Sequence, residues 1–174
     1  AFIRSHGGKH CRYKRGYRNV IDKAKELNAA GEYAPLAIET SGHAALLENY
    51  FLDDGAYLVT RLLVSLAQMA KEGKQLSELI RGLPEPAEAA EVRLGFTDAG
   101  KGDFKRYGAE AIADIASRVP ALDGMHLAPD NYEGVRICIE KGRGDGWALV
   151  RQSLHEPILP VNFESDSAGG CLII

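Results

Sequence analysis

The sequence predicts two successive units: a partial α/β layer over residues 1–82 and, after a linker at 83–90, a small α+β unit with an antiparallel sheet over 91–174. Three observations predict it. Strand-like and helix-like patterns alternate through the first half, as in an open α/β sheet. Pro84 and Pro86 then interrupt the chain without any period. Beyond them come strand patterns joined by a glycine turn, the mark of a hairpin.

Phe2 and Ile3, followed by Gly7-Gly8, read as the last turn of a helix and its stop. His10 to Lys14 alternates enough for a short strand. Val20, Ile21, Ala24 and Leu27 recur at helical spacing, with Asn28 and Gly31 ending that helix. Leu36-Ala37-Ile38 is the short apolar run of a buried strand, and a polar turn, Glu39 to His43, follows it. Asp53 or Asp54 caps a long helix with an inner stripe of Leu58, Leu62, Leu66 and Met69, stopped by Gly73. A short helix runs near Leu76 to Ile80. Two strand candidates are too few for an independent sheet of this class, so the remaining strands are expected upstream of Ala1.

After the linker, Glu91 to Gly95 forms a strand candidate. Phe104, Tyr107, Ala111, Ile112 and Ile115 make the stripe of a helix capped by Asp103. Val135–Ile139 and Trp147–Val150 pair as a hairpin around Gly142 and Gly144, and Ile158 to Phe163 is a third strand. A helix is expected to open near Ser167.

Bulk properties exclude several classes. With 174 residues, 45% hydrophobic content and 26% charged content, the composition is that of a globular protein. A net charge of −3 gives no reason to invoke nucleic acid or a membrane surface. No run approaches the roughly 18 apolar residues of a membrane span, and no secretory signal opens the chain. Cys11, Cys138 and Cys171 are far apart, which suits reduced thiols and a cytoplasmic location. Both raw ends, Ala1-Phe2-Ile3 and Leu172-Ile173-Ile174, are apolar, so the chain is expected to be cut from a longer one.

Two stretches carry candidate chemistry. Glu39-Thr40-Ser41-Gly42-His43 lies at the end of an apolar strand, where open α/β sheets bind ligands. The Glu39 carboxylate can accept from two neighbouring sugar hydroxyls, Ser41 can donate or accept, and His43 can act as a proton carrier. A helix-capping turn with a surface histidine would have the same composition. Arg151-Gln152-Ser153-Leu154-His155-Glu156-Pro157 joins two strands of the second unit. Arg151 offers a planar fork of donors, Ser153 a hydroxyl and His155 a ring N–H, a set that suits a phosphate. A solvated arginine beside an ordinary turn is the plainer reading.

Residues 9–18 hold five Lys/Arg and no acid, with Tyr13 and Tyr17 interleaved. The segment could bind single-stranded nucleic acid, line a phosphosugar site, or form a solvated face. His6 and His10 flank Gly7-Gly8, which disfavours a helical zinc pair. Asp53-Asp54 is explained by capping without a metal. Gly142 to Gly146 is a turn and lacks the ending of a phosphate-binding P-loop.

Ala37-Ile38-Glu39-Thr40-Ser41-Gly42-His43 with Glu48 to Gly55 resembles the sugar-binding loop of the α-D-phosphohexomutases, the phosphoglucomutase/phosphomannomutase family. Lys14-Arg15-Gly16-Tyr17-Arg18 resembles the basic segment of that family's third domain. Gly146 to Pro157 is similar to the phosphate loop of its fourth domain. The resemblance implies the second part of domain 3, then domain 4. It implies that Glu39 and Ser41 contact sugar hydroxyls, with His43 near the reacting end and Arg18 beside the substrate. It also implies that Arg151, Ser153 and His155 grip the phosphate that is not transferred, in an enzyme moving phosphate between the 1 and 6 positions of glucose or mannose.

Two departures qualify this. The family commonly has glycine or asparagine where Leu154 stands and threonine where His155 stands. Its Ser-His-Asn-Pro-like nucleophile loop and its Asp-Gly-Asp-x-Asp-Arg-like magnesium loop do not occur here. The resemblance therefore implies a hexose phosphate ligand, upstream domains of the same parent chain as partners, and Mg2+ held outside this chain. Alone, the chain is expected to bind but not turn over substrate. A nucleic-acid-binding module using residues 9–18 is the alternative.

Overall fold

A computed structural model describes residues 2–97, 102–153 and 155–174. The chain divides into two compact units, Ala1–Leu83 and Pro84–Ile174. Among the described residues no helix is long and apolar enough to cross a membrane. The three thiols are all free.

The first unit opens with a single helical turn, α1 (Phe2–Ser5). His10 to Lys14, expected as a strand, has no regular structure. Its alternation is real, but no described strand pairs with it, and an extended segment with no neighbouring strand has no ladder to hold it. Helix α2 (Tyr17–Ala29) follows, burying Ile21 and Ala24. Strands β1 (Leu36–Ile38) and β2 (Ala44–Leu46) form a two-stranded antiparallel sheet in which Leu36 faces Leu46 and Ile38 faces Ala44. Ile21, Ala24, Ala37, Ala45 and Phe51 make the small core beneath it.

Helix α3 (Gly55–Lys71) is capped by Asp54, whose carboxylate accepts from the Tyr57 N–H at 3.0 Å. Its predicted stripe is present but its centre is uncovered: Leu62 and Leu66 are 46% and 41% exposed, while Leu58 and Met69 are half-buried. Two strands cannot cover a helix face four turns long.

The second unit is a five-stranded antiparallel sheet with one long helix. Strand β3 (Glu88–Gly95) begins within the expected linker, and α4 (Phe104–Arg118) follows it. Then come β4 (Met125–Leu127), β5 (Val135–Ile139), β6 (Gly146–Val150) and β7 (Ile158–Ser165), with spatial order β3-β7-β6-β5-β4. Asp103 precedes α4 but does not cap it with its side chain; its carboxylate instead accepts from Arg106 Nε at 2.8 Å. The helix expected near Ser167 is a short 3-10 turn at Gly170–Leu172.

The core follows from alternation. Val135, Ile137 and Ile139 on β5, with Ala148 and Val150 on β6, point to one face and are buried. Ala111, Ile112, Ile115 and Ala116 of α4 pack on that face. Each valine or isoleucine side chain removed from water there contributes about 1.5–3 kcal/mol. Ser165, 1% exposed, ties the β7 end to the preceding turn: its hydroxyl reaches the Gly144 and Ser167 carbonyls and accepts from the Ser167 N–H at 3.0 Å.

Candidate functional site

In the first unit the site is the tight turn between β1 and β2. The Glu39 N–H donates to the His43 carbonyl and the Gly42 N–H to the Glu39 carbonyl, each at 2.9 Å. Gly42 at φ 92 permits this closure, since a side chain there would strain the backbone. Glu39 is half-buried, and both its oxygens already accept: one from the Gly16 N–H at 3.2 Å, the other from Ser41 Oγ at 3.1 Å. Glu39 thus fastens the turn to the start of α2. Arg15 adds a contact to Thr40 at 3.4 Å.

His43 is held on two sides. Its Nδ1 lies 2.7 Å from an Asp53 carboxylate oxygen, and the Tyr17 ring stacks on it with centroids 5.2 Å apart. The structure therefore gathers Glu39, Ser41 and His43 with Gly16 and Tyr17. Arg18 lies in the first turn of α2 beside Tyr17, with its side chain exposed. Lys14 of the basic segment and Lys23 of α2 sit over the Tyr13 ring at 5.7 and 5.6 Å, so local cations already occupy the surroundings of that aromatic.

Asp53 reaches His43 because the chain doubles back. Tyr50 and Phe51 both adopt φ 55, a left-handed conformation that costs about 1–2 kcal/mol per non-glycine residue. Burial of Phe51 at 7% exposure offsets this, and Asp53 then forms a backbone bridge with Ala45.

The second unit presents the loop between β6 and β7. Val150 faces the core and Gln152 reaches α4, so Arg151 between them points to the opposite sheet face. Its backbone continues the ladder through Arg151 N–H to Pro160 carbonyl at 3.1 Å. Among the described residues the Arg151 Nε is buried with no hydrogen-bond partner. An unmet buried donor costs about 1–3 kcal/mol, so such a group calls for an acceptor.

Neighbouring charges are spoken for. Glu91 is held below the usual carboxylate range by hydrogen bonds from Arg93 and Asn162, with the charges of Arg93 and Arg151 adding to the effect. Arg93 is engaged with Glu91 and feels Glu156.

Ser153 Oγ accepts from the Glu156 N–H at 3.1 Å, which leaves its own proton to donate. His155 is exposed, and Leu154 lies outside the described residues. The Gln152 amide donates to the Phe104 and Lys105 carbonyls at 3.1 and 2.8 Å, pinning the loop to the first turn of α4. Gly108, the one buried position in that helix, makes room for it.

The family model for phosphoglucomutase/phosphomannomutase, alpha/beta/alpha domain III, matches residues 1–87. The chain belongs to the phosphoglucomutase/phosphomannomutase family. It is 30% identical over 166 residues to a phosphomannomutase/phosphoglucomutase of Pseudomonas putida, covering 95% of this chain and 31% of that protein. A phosphoglucomutase of Neisseria gonorrhoeae is 26% identical over 169 residues, covering 95% of this chain and 32% of its own length. A crystal structure of a phosphoglucomutase/phosphomannomutase family protein from Burkholderia thailandensis superposes with a TM-score of 0.69 at 29% identity, covering 99% of this chain and 32% of that one. The chain therefore spans about a third of the length of the family members it matches. The fold class follows: an α/β part of the family's domain III, then a small antiparallel α+β unit.

Tyr17, Asp53 and Gln152 are the site residues that sequence reasoning missed. Tyr17 and Asp53 are far from His43 along the chain and carry no periodic signal. The doublet Asp53-Asp54 reads as one cap, although the two carboxylates have separate tasks. Gly108, an isolated glycine inside an amphipathic helix, was the available signal for Gln152.

Proposed function

We propose that this chain is the sugar- and phosphate-binding part of a hexose-phosphate mutase that moves phosphate between the 1 and 6 positions of glucose or mannose. Glu39 and Ser41 hold sugar hydroxyls, with Arg18 beside the substrate. His43 is the proton carrier, drawing on a ring nitrogen. Arg151, Ser153 and His155 bind the phosphate that stays in place, through a guanidinium fork, a hydroxyl and a ring N–H.

The observation that carries the reading is the buried Arg151 Nε, without a partner among the described residues, beside a serine whose hydroxyl proton is available. An anion there would complete the hydrogen bonding that the described residues leave unfinished. Glu39 supports it less directly: both its oxygens accept already, and each retains a further lone pair for a sugar hydroxyl.

The transfer itself belongs to the whole protein. The sequence lacks the family-like nucleophile and magnesium loops, so the 174-residue chain alone binds hexose phosphate without interconverting it. Among the described residues no three His, Cys, Asp or Glu side chains gather as metal ligands. In the whole protein, residues outside this chain would hold a magnesium ion, which would supply neutralisation of charge on the transferring group.

Titration of glucose 1-phosphate into the chain tests the reading. Arg151→Lys keeps the charge and loses the fork, so affinity should fall about tenfold, the loss of about 1.4 kcal/mol. Affinity equal to the parent would refute Arg151 as the phosphate ligand. Interconversion of glucose 1-phosphate and glucose 6-phosphate by the chain alone would refute the division of labour.

A further inference from the structure

His43 is exposed enough to meet a ligand, with half its side-chain surface accessible, yet its orientation is not free. On one edge, Asp53 lies 2.7 Å from Nδ1, its side chain 26% exposed. On one face, the Tyr17 ring stacks at an interplanar angle of 27°. Both supports are anchored by backbone: Asp53 by its bridge to fully buried Ala45, and Tyr17 by its place at the first residue of α2, next to the Gly16 N–H that Glu39 holds. Asp54 makes the cap of α3, so Asp53 is not needed for that task.

An ionised carboxylate can only accept, so the hydrogen in the His43–Asp53 bond belongs to Nδ1. In the neutral ring Nε2 then bears the lone pair, turned away from Asp53. We propose that Asp53 is the positioning residue that fixes this tautomer, with Tyr17 holding the ring plane, so that His43 acts as a base through Nε2 on a sugar hydroxyl. This rests on the reading of His43 as the proton carrier.

The step balances simply. The hydroxyl O–H bond breaks and its electron pair stays on oxygen. The Nε2 lone pair takes the proton, giving an imidazolium, and Asp53 remains ionised and stabilises that charge. In the reverse direction Nε2–H returns the proton to a sugar oxygen.

Ring-nitrogen NMR of the 174-residue chain, at a pH where His43 is neutral, reads the tautomer directly. The parent chain should show protonated Nδ1 and unprotonated Nε2. Asp53→Asn should abolish that preference, giving a mixture rich in the Nε2–H form that free histidine favours. Asp54→Asn makes the same charge change one residue away and should leave the His43 pattern intact. A parent ring protonated at Nε2, or an Asp53→Asn spectrum matching the parent, overturns the proposal.

In the full-length protein, Asp53→Asn should lower kcat about 10–100-fold with KM within about twofold, within the range that general acid–base groups contribute. Unchanged kcat in that variant would overturn the catalytic part of the proposal. Unchanged kcat in His43→Asn would remove the proton-carrier reading itself, while the NMR result would still report whether Asp53 sets the tautomer.

Discussion

Gly134 offers the sharpest test of how the β6–β7 loop is held. It has φ 63, and a Cβ built on it would lie 2.0 Å from the Val150 carbonyl oxygen and 2.8 Å from Arg151 Cα. Gly134→Ala therefore has two costs. The left-handed conformation costs about 1–2 kcal/mol for a residue with a side chain. Forcing backbone apart adds about 1–3 kcal/mol, as overpacking generally does. Gly169→Ala separates the two, because Gly169 has φ 78 with nothing within 4 Å of its added Cβ, and so bears the first cost alone. Urea unfolding followed by fluorescence is the assay. Trp147 is the sole tryptophan and lies on β6, so the signal reports on the second unit. Gly134→Ala should be less stable than Gly169→Ala by about 1–3 kcal/mol, read from midpoints at unchanged m. It should also weaken phosphosugar binding, because Arg151 must move, whereas Gly169→Ala should bind as the parent does. Equal stability of the two variants, within about 0.5 kcal/mol, would refute the reasoning.

Three further outcomes are expected. Ser165→Ala orphans the buried Gly144 carbonyl and the Ser167 N–H, and should lower the stability of the second unit by about 2–4 kcal/mol in the same urea assay. Glu88 accepts from the Gly169 N–H at 2.6 Å and the Cys171 N–H at 3.1 Å, which holds its carboxyl below its ordinary value of 4.5. Its contribution is therefore complete above that value and lost as pH falls through the depressed one, so Glu88→Gln should narrow the stability difference between pH 6 and pH 3, about one and a half units either side of an ordinary glutamate. Gly108→Ala would bring a Cβ to 2.9 Å from Gln152 Nε2, so phosphosugar affinity should fall several-fold while the helix signal in circular dichroism is kept.

What the sequence could reveal depended on how local the cause was. The β5–β6 hairpin was legible because Gly142 and Gly144 mark its turn and alternation marks its strands. Strand β2 was not, since Ala44-Ala45-Leu46 has no β-forming character and exists through its pairing with β1. Edge strand β4 is only three residues long and escaped for the same reason. The α3 stripe was legible as a pattern, but burial is a property of a partner, and its two central leucines stand open. At the site, contiguous Glu39, Ser41 and His43 could be read from residue chemistry. The stack of Tyr17 and the bond from Asp53 could not, because they arise only when a left-handed pair at 50–51 turns the chain back.

The pairing of β3 with β7 bears on how the second unit is made. Its first strand is zipped along its whole length to its last, Glu88 opposite Ser165 and Gly95 opposite Ile158. During synthesis residues 88–95 therefore leave the ribosome long before their partner exists, with neither edge of the strand paired. The sheet closes only when 158–165 emerge, and Arg151 gains its ladder bond to Pro160 in the same event. A ribosome stalled before that point would carry a nascent chain in which the loop after β6 has no floor.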